Sequence, residues 1–70
     1  MIWNISIARS KGFSLVDENT LERPDCKIEY SSKRKQPFKI YDRKLDKRGN
    51  VVSESVKFAA TFYGAMRGII

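Results

Sequence analysis

The chain predicts an α+β domain, a small antiparallel sheet of three to four strands packed against one C-terminal helix. Three observations carry this reading. Apolar and polar residues alternate along Ile2–Ala8, Cys26–Ser31 and Phe38–Leu45, the two-residue period of a strand with one buried face. A polar connection containing Gly49–Asn50 separates Phe38–Leu45 from Val51–Val52, a hairpin signature. Towards Ile70 the apolar spacing becomes helical. A sheet and a helix laid across its apolar face make a two-layer domain.

Taken in order, Trp3, Ile5 and Ile7 alternate with Asn4 and Ser6, which predicts a first strand over Ile2–Ala8. Arg9–Gly12 reads as a turn, with Gly12 free to adopt a positive φ. Phe13, Leu15 and Val16 fit a short second strand, and Asp17–Thr20 is turn-like. A single helical turn through Asn19–Glu22 is the alternative there. Pro24 disfavours helical geometry at Arg23 and ends what precedes it. Cys26, Ile28 and Tyr30 share one face of the next strand, with Lys27 and Glu29 opposite. After a polar loop, Phe38 and Ile40 face one side while Lys39, Tyr41 and Arg43 face the other.

In the last segment, Val56, Ala59, Ala60, Tyr63 and Ile70 follow one helical stripe and Phe58, Phe62, Ala65 and Ile69 another. Ser53 or Ser55 is the expected N-cap. Arg67 suits the C-terminal end of the dipole and Gly68 its closure. The expected core is Trp3, Ile5, Ile7, Ile28, Tyr30, Phe38, Ile40, Phe58 and Phe62. The helix is apolar over most of its circumference, more than one sheet face requires. Ala60, Gly64 and Gly68 recur every four residues, a small-residue row that lets a second backbone approach closely. Gly64 costs about 1 kcal/mol of helix propensity relative to alanine, which suggests a packing reason. The row serves either a homodimer or partner interface or tight seating of the helix on its own sheet.

Seventy residues make one small domain, and a chain of this size buries only about 60% of its unfolded surface. Small scaffolds usually need a staple. Cys26 is the only cysteine and there is no histidine. An intrachain disulfide and the familiar Cys/His zinc sites are thereby excluded. Packing, helped by self-association, is the remaining route to stability. No basic, apolar leader and no run of roughly 18 apolar residues occurs. One unpaired cysteine suits a reducing compartment. The expectation is a cytoplasmic protein without a membrane segment.

The net charge is +6, and Lys27–Arg48 holds all of the imbalance, with nine basic residues against three acidic ones. A local field of one sign steers anionic partners. The candidate nucleic-acid-binding residues are Lys27, Lys33, Arg34, Lys35, Lys39, Tyr41, Arg43, Lys47 and Arg48. Lysine and arginine would meet phosphates, Tyr41 could stack on an unpaired base, and a two-stranded ribbon fits the DNA major groove. The bland reading is that lysines populate solvated loops and guard sheet edges. Asp42 and Asp46 could also weaken the field by pairing with Arg43 or Lys47.

No histidine, glycine-rich phosphate loop or paired metal ligands point to an enzyme, a cofactor or a metal. Glu29, Tyr41 and Arg43 share a face, so nuclease chemistry without histidine is the weakest reading. The sequence therefore points to a non-enzymatic binding protein for DNA or RNA. The competing class is a protein-interaction module that meets an acidic protein surface or docks through the Ala60, Gly64, Gly68 face.

Overall fold

In a computed structural model, which describes residues 2–67, the chain forms a five-stranded antiparallel meander with two short helices. The elements run α1 (Ile5–Ser10), β1 (Ser14–Asp17), β2 (Thr20–Arg23), β3 (Cys26–Tyr30), β4 (Phe38–Leu45), β5 (Val51–Ala59) and α2 (Phe62–Arg67). Strand order in the sheet follows the sequence, so β1 and β5 are the edges. The α+β class holds. The strand count is five and the helices number two among the described residues.

The first element is a helix and not the expected strand. Asn4 is its N-cap, accepting the Ile7 N–H on Oδ1 at 3.2 Å. At the other end the Gly12 N–H donates to the Arg9 carbonyl and the Phe13 N–H to the Ala8 carbonyl, both at 3.0 Å. With Gly12 at φ +87°, this is a Schellman closure, and the left-handed residue is the glycine the sequence supplies. Next, β1 occupies the place of the short second strand. Thr20–Arg23, where a helical turn was the alternative, is β2. Pro24 and Asp25 form the turn into β3.

The largest departure is the last segment. Residues 53–59 continue β5, and among the described residues of this segment the helix is Phe62–Arg67. Pairing explains this. The partner strand β4 is eight residues long, and β5 matches it from Leu45↔Val51 to Phe38↔Ala59. Val56 and Phe58 are branched or aromatic residues that fit a pleated surface. The cap is therefore neither Ser53 nor Ser55 but Thr61, whose Oγ1 accepts the Gly64 N–H at 3.0 Å. Ala60 lies in the bend before α2, so it shares no helical row with Gly64, and Gly68 lies outside the described residues.

The core lies between the helices and one sheet face. Leu21, Ile28 and Ile40 lie side by side through the β2–β3 and β3–β4 registers and are buried with Trp3, Ala8, Phe13, Cys26, Phe38, Phe62, Ala65 and Met66. The rings of Trp3, Phe38 and Phe62 meet edge to face, with centroids 5.5, 5.9 and 6.5 Å apart. Ile5, Ile7 and Tyr30 pack against this cluster half-buried. Phe58, expected in the core, is 46% exposed. It stands opposite Lys39 on the outer sheet face.

Candidate nucleic-acid interface

The outer face is built by strand alternation. Lys27, Glu29, Lys39, Tyr41 and Arg43 point away from the buried Ile28, Phe38 and Ile40. The registers Lys27↔Tyr41↔Val56, Glu29↔Lys39↔Phe58 and Arg43↔Glu54 set these residues in rows across β3, β4 and β5. Thus Lys27, Lys39, Tyr41 and Arg43 share one face, as their spacing predicts.

The face is closer to neutral than the basic residues alone suggest. The Arg43 Nε donates to Glu54 at 2.9 Å and its Nη1 to Glu22 at 3.4 Å. The hydrogen bond to Glu54 is the main reason its guanidinium is held above its ordinary pKa. Lys27 lies 3.9 Å from Glu29. Asp42 pairs with Lys57 at 3.8 Å and not with Arg43. Asp46 binds no lysine. It accepts the N–H groups of Arg48 and Asn50 at 2.8 and 2.9 Å, and these backbone bonds lower its pKa.

The unpaired charge stands elsewhere. Lys33, Lys35, Lys39, Lys44, Lys47 and Arg48 have no carboxylate within ion-pair range among the described residues. Lys33 and Lys35 occupy the loop before β4, and Lys44, Lys47 and Arg48 occupy the far end of the hairpin. The eight residues of β4 separate Lys33 and Lys35 from Lys47 and Arg48, a span of about 26 Å at strand rise, and Lys44 lies within the strand. Lys39 lies between the two groups. The far end is a free ribbon: the last β3–β4 pair is Cys26↔Asp42, and from Lys44 to Ser53 the two strands pair only with each other. Gly49, at φ +84°, closes its turn.

Arg34 plays a different part from its lysine neighbours. Its Nη2 donates to the carbonyls of Glu29 at 3.3 Å and Pro37 at 2.9 Å. It therefore clasps the loop that carries Lys33 and Lys35.

Aromatic residues lie among these cations. Lys39 Nζ stands 4.9 Å from the Tyr41 ring centroid and Lys27 Nζ 5.8 Å from it. The Arg34 guanidinium is 5.8 Å from the Phe58 centroid. These are cation–π distances. Val56 and Phe58 are both 46% exposed and, with Tyr41, make an apolar patch on the outer face. Val56 and Phe58 escape the sequence reading because their segment also fits a helix. The length of the hairpin partner is the signal that assigns them to a strand.

Among the described residues no cluster of three or more His, Cys, Asp or Glu is placed to hold a metal ion. No helix there is long and apolar enough to cross a membrane. Cys26 is 1% exposed, and burial pushes its thiol up to about 11. No family model, curated protein or solved structure matches the chain.

Proposed function

We propose that the protein is a non-enzymatic nucleic-acid-binding accessory or regulatory factor that uses the outer face and both ends of the β4–β5 hairpin. One observation carries this reading. Among the cations without a carboxylate partner, Lys33 and Lys35 precede β4, Lys47 and Arg48 follow it, and Lys39 lies between them beside the half-buried Tyr41 ring and opposite the exposed Phe58. Free cations release phosphate counterions when they bind, whereas cations already paired with glutamate contribute little. The electrostatic contribution therefore comes from Lys33, Lys35, Lys39, Lys47 and Arg48. Arg34 holds the loop and Arg43 holds the sheet.

The test is equilibrium binding to labelled random duplex DNA, single-stranded DNA and RNA across a salt series. The expected dissociation constant is about 10⁻⁴–10⁻⁶ M at physiological salt, rising steeply as salt is added. Lys33→Gln/Lys35→Gln and Lys47→Gln/Arg48→Gln should each weaken binding and reduce the salt slope by about 2. Absence of binding at low salt would remove this reading.

A protein-interaction module is the second reading, favoured by β5. This nine-residue edge strand exposes Val51, Val52, Val56 and Phe58. An open apolar edge is a template for strand addition. A chain that ignores nucleic acid but sediments as a dimer would favour it.

A further inference from the structure

We infer that the outer face takes a single-stranded nucleic acid and stacks two successive bases on Tyr41 and Phe58. This rests on the nucleic-acid reading and names the kind of strand. Tyr41 pairs with Val56, and Phe58 stands two residues further along β5. The two rings are therefore diagonal neighbours on one face, with backbones about 7–8 Å apart. Val56, 46% exposed, forms the floor between them.

Lys39 links the two platforms. It is the cross-strand partner of Phe58, its Nζ lies 4.9 Å from the Tyr41 centroid, and no carboxylate is within ion-pair range among the described residues. Lys39 and Lys27 lie over the Tyr41 ring and the Arg34 guanidinium over the Phe58 ring, so a stacking base takes the place of these cations on the rings and its phosphate meets the displaced Lys39. The nearby carboxylates are already engaged, Glu29 with Lys27 and Glu22 and Glu54 with Arg43. Their repulsion of a phosphate is thereby reduced.

A duplex offers the two rings no open base face. Its bases are paired and stacked on one another, and a flat sheet reaches only its backbone. Unpaired bases can splay onto aromatic side chains, which accept any base because every base has a π-face. The inferred ligand is therefore a single strand bound with little sequence preference. Lys33 and Lys35 at one end of β4, and Lys47 and Arg48 in the turn beyond the other, would follow its backbone.

The experiment compares a short mixed-sequence single strand with its duplex, using the wild-type chain, Tyr41→Phe, Tyr41→Thr and Phe58→Thr. Threonine keeps strand propensity but has no π-face. Circular dichroism and thermal unfolding identify the folded chains. Tyr41→Leu replaces Tyr41→Thr, and Phe58→Leu replaces Phe58→Thr, where the threonine chain does not fold. The expected result is tighter binding of the single strand than of the duplex. Each ring removed should cost about tenfold for the single strand, with the salt slope unchanged, and Tyr41→Phe should bind like the wild type. Equal binding of both forms, or ring removal without effect, overturns the stacking inference while leaving the nucleic-acid reading in place. Failure to bind either form at low salt overturns both.

Discussion

At the scale of the residue, Cys26 shows how position decides chemistry. It is enclosed in the core, paired with Arg23 on one side and Asp42 on the other. Burial raises its thiol pKa from 9.0 to about 11, because the thiolate loses solvation there. The folded state thus favours the protonated form. Its contribution to stability is complete below pH 9 and is lost as pH rises towards 11. A two-unit difference corresponds to about 3 kcal/mol at most. Denaturant unfolding at pH 8 and pH 11 should show a fall that is smaller in Cys26→Ala. The native thiol should also resist alkylation at pH 8 and react once unfolded. Rapid labelling of the folded chain would contradict its enclosure.

The basic residues divide on the same grounds. Their number and their alternation with Phe38 and Ile40 are plain in the sequence, and so is the shared face of Lys27, Lys39, Tyr41 and Arg43. Their occupation is not. The ion pairs of Arg43 reach Glu22 and Glu54, 21 and 11 residues away, and the Arg34 clasp depends on where the loop carbonyls turn. These partners are set by register and loop path, which local composition does not encode.

At the scale of the element, the two misread segments share a cause. A six-residue helix such as α1 is too short to display a helical period, so Trp3, Ile5 and Ile7 imitate a strand. The informative signals were its ends, the Asn4 cap and the left-handed Gly12. The apolar residues of 53–67 satisfy both periods, and there tertiary pairing with β4 overrides local spacing. Mutation separates the two descriptions. Thr61→Ala should cost about 1 kcal/mol through loss of the α2 cap. Ser53→Ala and Ser55→Ala should stay within about 0.5 kcal/mol, since both residues lie exposed on β5. Urea unfolding of the three variants measures this. A large loss at Ser55 with none at Thr61 would restore the long helix.

At the scale of the whole molecule, α1 packs against β1 and α2 against β4 and β5, yet most of β5 stays open. Every residue of β5 before Ala59 is exposed. The core therefore draws mainly on β2, β3, β4 and the helices, and the β4–β5 hairpin projects beyond it. This asymmetry places the unpaired cations of the hairpin and the rings of Tyr41 and Phe58 on the part of the molecule least needed for packing. Such an arrangement lets a surface be specialised without loss of the core. Of the small-residue row read from Ala60, Gly64 and Gly68, the last lies outside the described residues. The bend before α2 separates Ala60 from Gly64.

The proposed contact of nucleic acid with this hairpin and its outer face can be seen residue by residue. The most direct measurement is the change in backbone amide resonances as a short single-stranded oligonucleotide is added. The predicted shifts lie at Lys33–Lys35, Lys39–Tyr41, Lys44–Arg48 and Val56–Phe58, with α1 unmoved. Shifts confined to α1 and α2, or none at saturating oligonucleotide and low salt, would rule out nucleic-acid binding by the hairpin.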